Sequence, residues 1–242
     1  MRTLVLGDIH GYDTWKRIID QEKEFDEIIF LGDYFDSFES ESEVQLNNFL
    51  DILEYQKTSG KRVIIIIGNH DYHYFPEIQS GSMSGYQRLG KLQIAPILDQ
   101  NRSNLTMCYK RDNFLFTHAG ISSEFMDETF GRGMWDIDVV DQLLNELFFH
   151  RPHTFEFNGY NSYGDDPCQT PIWIRPRSLM AVNKDSELKK KYIQVVGHTA
   201  VKEVDKEGKA TGGRYYFMDC LGTSGEYMII TDGVISFNKI EL

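Results

Sequence analysis

One pattern recurs five times in the 242 residues: a short β-branched apolar run ends at a glycine or threonine, and a side chain able to ligate a metal follows at once. The runs are Thr3–Leu6 before Gly7-Asp8, Glu27–Leu31 before Gly32-Asp33, Arg62–Ile67 before Gly68-Asn69, Phe114–Phe116 before Thr117-His118, and Ile193–Val196 before Gly197-His198. Runs this apolar predict strands buried on both faces. Helical spacing separates the first three. Asp13–Glu24 carries Trp15, Ile18 and Ile19, and Glu43–Lys57 carries Val44, Leu46, Phe49, Leu50 and Leu53 before Ser59-Gly60 closes it. Strand–helix alternation predicts a parallel α/β sheet, in which ligands gather beyond the carboxyl ends of the strands. All five ligand groups are then expected at that edge.

The rest of the chain reads differently. From about Asp127 to Lys191 the pattern predicts one helix, Asp138–Phe149, and then a polar, Pro/Gly-containing loop from His150 to Arg177. We read this as an insertion (about 127–191) packed over the site of a single domain spanning 1–242. Its aromatics, Trp135, Phe155, Tyr160, Tyr163 and Trp173, are expected to form a small satellite core rather than to stack on a base. The tail returns to strands at Arg214–Asp219, Tyr227–Thr231 and Val234–Asn238, with Asp232-Gly233 as a two-residue hairpin turn.

Charge and cysteine content narrow the function classes. Lys and Arg total 25 against 37 Asp and Glu, a formal charge of −12, which argues against binding duplex nucleic acid. A small phosphorylated substrate stays compatible, because bound cations reverse the sign locally. The three cysteines, Cys108, Cys168 and Cys220, form no C-x-x-C pair, so a reduced, cytoplasmic protein is expected. The longest apolar run, Val63–Ile67, is far too short to span a membrane, and the apolar stretch at the N-terminus leads straight into Gly7-Asp8, unlike a signal peptide.

Taken singly, Gly-Asp after a strand is most often a turn, and a strand-end histidine is most often structural. Five such groups in this order point instead to a metal site. Carboxylate, imidazole and amide oxygen without thiolate suit Mn, Fe or Zn. A pair of metals about 3.5–4 Å apart needs a bridging ligand, which a carboxylate can be.

The series Gly7-Asp8-Ile9-His10-Gly11, Gly32-Asp33-Tyr34-Phe35-Asp36, Gly68-Asn69-His70-Asp71, Thr117-His118-Ala119-Gly120 and Gly197-His198-Thr199 resembles the calcineurin-like metallophosphoesterases from Asp8 to about Asp219. It is most similar to their phosphoprotein-phosphatase branch, which includes bacterial and phage Ser/Thr phosphatases and symmetrical diadenosine tetraphosphate hydrolases. The resemblance implies a four-layer α/β/β/α sandwich with two divalent metals at the strand ends, manganese first and iron or zinc as alternatives. It implies that Asp8 and His10 hold the first metal, that Asp33 bridges, and that Asn69, His118 and His198 complete the second. A metal-bound hydroxide would attack phosphorus in line. His70 would protonate the leaving oxygen or stabilise the transferring phosphoryl group, with Asp36 orienting it and Asn69 also touching the phosphate. Asp219 would brace the site from behind.

Two departures refine that picture. Many nucleases of the superfamily end in Gly-His-x-His, and here the last position is Ala200; protein phosphatases carry an arginine after the second motif, and here Ser37 and Phe38 follow Asp36. Phosphate must then be gripped elsewhere, and Arg175, with Arg177 next, is the candidate; a solvated arginine beside prolines is the alternative. His73, His150 and His153 are read as structural or exposed. Tyr72, Tyr74 and Phe75 are read as packing residues, and Asp71 as a cap. The leading functional reading is a dimetal phosphatase of the Ser/Thr phosphoprotein type, acting on a phosphorylated protein or small phosphorylated substrate. The alternative is a nucleotide or dinucleoside polyphosphate hydrolase. An inactive phosphoprotein-binding scaffold is a third reading.

Overall fold

The chain was described from a computed structural model covering residues 1–78, 85–88, 90–158, 161 and 163–242. It lays down β1 (Arg2–Leu6), β2 (Glu27–Phe30), β3 (Arg62–Ile66) and β4 (Leu105–Thr106) side by side and parallel. A second sheet follows, made of β5 (Cys108–Arg111), β6 (Phe114–Thr117), β7 (Ile193–Val196) and β8 (Tyr215–Phe217) in that order. The chain then returns to the first sheet with β9 (Glu226–Thr231), antiparallel to β1, and the edge strand β10 (Val234–Lys239). Asp232 and Gly233 both take positive φ, 49° and 83°, in the turn between them, as an Asp-Gly hairpin requires.

The parallel sheet expected from the strand–helix alternation is joined by a second sheet, as the resemblance implied. The fourth and fifth motifs follow β6 and β7 of the second sheet, not strands of the first. The physical reason lies in the period of two along each strand. Leu4, Leu6, Ile28, Phe30 and Ile65 point to one face, where they meet helices. Val5, Ile29 and Ile66 point to the other, where they meet Phe114, Phe116 and Val195 of the second sheet. Fully burying each such side chain is worth roughly 1.5–3 kcal/mol, so both faces need a cover.

On the helical face, α1 (Thr14–Glu22) contributes Trp15 and Ile18, and α2 (Ser42–Thr58) contributes Phe49, Ile52 and Leu53. Val44 and Leu50 of α2 face solvent, contrary to the sequence pattern. Buried Asn48 takes their place in the packing, accepting from Trp15 Nε1 at 2.9 Å and donating to Tyr12 O at 3.0 Å. A one-turn α3 (Asn69–Tyr72) follows β3, and α4 (Lys91–Gln100) adds Ile94 and Leu98 to the same core.

The segment expected as one helix and a loop is more helical than that. The end of α5 (Ser123–Phe130) runs into it, and it contains α6 (Val140–His150), α7 (Pro176–Val182) and α8 (Glu187–Lys191). The missed helices are short, and their signals are end signals: Ser122 Oγ accepts from Phe125 N, Ser186 Oγ accepts from Lys189 N, and Pro176 opens α7. Among the described residues its aromatics build no satellite core. Phe155 and Trp173 join the main core with Val140, Leu144 and Phe148 of α6, Trp135 packs against it, and Tyr163 is exposed. Tyr160 lies outside the described residues. Leu179 of α7 packs with Ala119, Ile174 and Tyr215 against the second sheet, which completes the helix–sheet–sheet–helix layering.

A carboxyl side chain also joins the two sheets from inside. Glu27 is fully buried; it accepts Tyr109 OH at 2.6 Å and Thr3 Oγ1 at 3.0 Å and pairs with Arg111 at 2.7 Å. It ties β1 and β2 to β5 across the two sheets. Among the described residues, no helix is long and apolar enough to cross a membrane.

Candidate active site

The carboxyl ends of β1, β2 and β3 meet those of β6 and β7 at one rim, and the chain turns sharply there. His10, Asp33, Asp36 and His198 all have positive φ, between 40° and 66°. Each such non-glycine residue costs about 1–2 kcal/mol and persists only where surroundings over-determine it. The glycines before the ligands serve close approach. A Cβ at Gly68 would collide with Asp33 Oδ1, and one at Gly197 with Asp8 Oδ1.

Asp71 holds two of these turns together. It is fully buried, its Oδ2 accepts Gly68 N at 2.9 Å and Asp33 N at 2.8 Å, and its Oδ1 accepts Tyr34 N at 2.7 Å. It caps α3 as read from the sequence, and it also binds the β2 loop to the β3 loop. Burial, with Asp33 nearby, pushes its pKa up to about 7 against the pull of those N–H groups.

Within this frame two ligand groups share Asp33. Asp33, His118 and His198 bring ligand atoms within 4.8 Å of one another, and so do Asp8, His10 and Asp33. His118 Nε2 and His198 Nδ1 both point at Asn69 Oδ1, at 2.9 and 2.8 Å. Each ring's other nitrogen is taken by a backbone carbonyl, Leu31 O for His118 at 2.8 Å and Trp173 O for His198 at 3.0 Å. His10 repeats the device, with Nδ1 on Phe35 O at 2.8 Å and Nε2 turned to Asp33 Oδ2 at 3.8 Å. An N–H given to a carbonyl leaves the inward nitrogen of a neutral imidazole as an acceptor.

Acceptors therefore face acceptors: imidazole lone pairs, an amide oxygen and carboxylates, all buried except the half-buried His10. That donor set fits divalent cations. Electrostatics agree. Burial and Asp219 drive the Asp8 pKa well above its usual range. Burial opposes a charge on Asp33, yet His118 and His70 hold its pKa well below the usual range. Burial disfavours protonated His118, but Asp33 and Asp8 outweigh it and raise its pKa to about 9, so the site attracts positive charge. Burial and His118 keep His198 neutral.

Beside the ligands, His70 N donates to Asp33 Oδ1 at 2.9 Å, and His70 Nδ1 meets Asp36 Oδ2 at 2.9 Å. Burial opposes protonation of His70, but Asp33 and Asp36 prevail and its pKa rises to about 9. Arg175 also reaches the rim. Its Nη1 donates to His198 O at 3.0 Å and Thr199 Oγ1 at 3.1 Å, and its Nε to Tyr163 O at 2.8 Å. Arg177 does not join it; it stands exposed in the first turn of α7. Asp219, just past β8, is half-buried and electrostatically coupled to Asp8, and burial lifts its pKa.

Two neighbours of the His70–Asp36 pair differ from the sequence expectation, which has His73 as structural or exposed and Tyr74 as packing. His73, buried, places Nε2 at 2.7 Å from Asp36 Oδ2, and Tyr74 donates its hydroxyl to Asp36 Oδ1 at 2.5 Å. The available signal was spacing: His70 and His73 lie three apart across a helical turn, on one face. His150 and His153 are exposed and pair with Glu146 and Glu156.

The calcineurin-like phosphoesterase family model matches residues 1–212, and the chain belongs to that family. Among relatives, it is 26% identical over 137 residues to a symmetrical bis(5'-nucleosyl)-tetraphosphatase of Glaesserella parasuis, covering 52% of this chain and 47% of the relative. It is 28% identical over 151 residues to the enzyme of that name from Salmonella paratyphi C, covering 58% and 50%. The chain thus matches about half the length of these curated relatives. In fold it is similar to a cold-active protein-tyrosine phosphatase of a psychrophilic Shewanella species (TM-score 0.62, 16% identity, 99% of this chain and 80% of that one). It is also similar to a protein serine/threonine phosphatase from Saccharomyces cerevisiae (TM-score 0.58, 12% identity, 100% and 81%).

Proposed function

We propose that the chain hydrolyses phosphate monoesters with two divalent cations, in the manner of a Ser/Thr phosphoprotein phosphatase. The observation that supports this reading is His70, hydrogen-bonded to Asp36 at 2.9 Å beside two candidate ligand groups that share Asp33. Asp8, His10 and Asp33 would hold one cation; Asp33, Asn69, His118 and His198 the other. When bound, such a pair lowers the pKa of water and polarises phosphoryl oxygens. The donor types suit manganese, and iron or zinc equally by chemistry.

The chain's own residues supply the rest. With Nδ1 committed to Asp36, His70 has Nε2 to give a proton to the leaving oxygen of an in-line displacement. Arg175 is anchored through Nε and Nη1 and offers Nη2 to a phosphate oxygen, and Asn69 borders the same space. Asp219 adds negative charge behind Asp8. The segment 127–191, as an insertion in a single domain, would shape the substrate side.

A second reading, hydrolysis of dinucleoside polyphosphates, is favoured by the names of the sequence relatives. The deciding assay uses metal-stripped protein resupplied with Mn²⁺. p-Nitrophenyl phosphate should turn over faster than its bis diester, and a chelator should abolish the rate. Diester preference would overturn the monoesterase reading. A phosphopeptide compared with diadenosine tetraphosphate then separates the two substrate classes, and turnover of neither ester nor nucleotide would leave the scaffold.

A further inference from the structure

Asp36 has more partners than one histidine requires. Its side chain is fully buried. Oδ2 accepts from His70 Nδ1 at 2.9 Å and lies 2.7 Å from His73 Nε2, while Oδ1 accepts the Tyr74 hydroxyl at 2.5 Å. That hydroxyl in turn accepts the Gln87 backbone N–H at 3.0 Å. Rings close around the carboxylate: His73 to Tyr74 at 4.6 Å, Tyr86 to His73 at 4.9 Å, and Phe35 to Tyr74 at 5.6 Å between centroids. Asp36 itself has φ of 63°, a conformation its surroundings must impose.

We propose that Tyr74 and His73 are positioning residues: they lock the Asp36 carboxylate, and through it the His70 imidazole, for proton delivery to the leaving oxygen. The proposal rests on the proton-donor role of His70 given above. The geometry argues for it as follows. A carboxylate held through one oxygen can rotate about its Cβ–Cγ bond and carry its partner with it. Among the described residues, Tyr74 is the side chain that donates to Oδ1, so it blocks that rotation. His73 shares Oδ2 with His70 and fixes where that oxygen sits. A donor misplaced by about 1 Å costs on the order of 10²-fold in rate.

Tyr74→Phe keeps the ring and deletes only the hydroxyl. We expect kcat to fall roughly 10–100-fold, with KM and bound Mn²⁺ unchanged within about twofold. The fall should be larger for phenyl phosphate than for p-nitrophenyl phosphate, because the poorer leaving oxygen needs its proton more. In a His70→Asn background the same change should cost nothing further, the non-additivity of residues that act as a unit. His73→Gln, which keeps an N–H donor, should retain more activity than His73→Phe. Equal losses on both esters that multiply with His70→Asn would reduce Tyr74 to packing and overturn the proposal, as would wild-type rates in Tyr74→Phe. A readout without turnover stands beside these. In ¹⁵N-edited NMR the wild type should show a protected His70 Nδ1–H signal that Tyr74→Phe loses while its amide spectrum stays folded. Persistence of that signal unchanged would also overturn the proposal. If the wild type hydrolysed neither ester, the phosphatase reading would fall, and the NMR result alone would decide whether Tyr74 positions His70.

Discussion

Asp71→Asn probes how the site is held together, and its cost can be worked from the contacts. The carboxylate accepts three buried backbone N–H groups, from Gly68, Asp33 and Tyr34. In its best orientation an asparagine keeps its oxygen on Gly68 and Asp33 and turns its amide N–H against Tyr34 N. One buried donor is then orphaned, at about 1–3 kcal/mol, and two charge-assisted bonds become neutral, at about 1 kcal/mol each. The sum is about 3–5 kcal/mol. At about 2–4 °C per kcal/mol for a chain of this size, the melting temperature should fall by about 10 °C. Because burial lifts the Asp71 pKa to about 7, the comparison belongs at pH 8, where the wild-type group is ionised. Asp33 loses an anchor in the same stroke, so Mn²⁺ affinity should fall roughly 10–100-fold, the usual worth of a residue that orients a ligand. Calorimetric melting and a metal titration read both effects. A melting temperature within about 2 °C of wild type, with unchanged Mn²⁺ affinity, would refute the reasoning.

Other expectations follow from single contacts. His70→Asn should keep its metal content, measured by plasma mass spectrometry, and lose roughly 10²–10⁴-fold in kcat. Arg175→Ala should raise KM for a phosphate monoester at least about tenfold, since a charged hydrogen bond is worth about 1.5–3 kcal/mol; exposed Arg177→Ala should leave steady-state kinetics unchanged. Burial opposes the Glu22 carboxylate, but hydrogen bonds from Tyr227 and Arg2 hold its pKa below 4.5 in the folded protein. That contact therefore stabilises the fold above pH 4.5 and is lost as pH falls through the depressed value. Glu22→Gln should accordingly flatten the acid limb of a urea-midpoint-against-pH profile, and an unchanged limb would remove Glu22 from acid unfolding.

Much of this protein is local, and the local part was legible. Five apolar runs can bury both faces only as interior strands, and a glycine, or Thr117 in one case, followed by an oxygen or nitrogen donor marks each strand's end. Those features depend on neighbours along the chain, which is why strand positions, the cap role of Asp71 and the donor groups at the strand ends could be read in advance. The short helices α5, α7 and α8 were harder, because one or two turns carry little periodicity and only their caps announce them.

What the tertiary structure alone decided involves partners distant in sequence. A strand apolar on both faces demands two covers without saying which; the resemblance implied the two-sheet layering, and the tertiary structure decides which residues meet across it, Phe114, Phe116 and Val195 against Val5, Ile29 and Ile66. Arg175 and Arg177 look alike two residues apart; the backbone carbonyl of His198 and the hydroxyl of Thr199 bring one of them to the rim. Asp36 could be matched to His70 from the motifs, but its second oxygen belongs to Tyr74, because a buried carboxylate takes whatever donors the fold brings to each of its lone pairs. Sequence thus sets which atoms can ligate, donate or accept, and packing sets which of them meet.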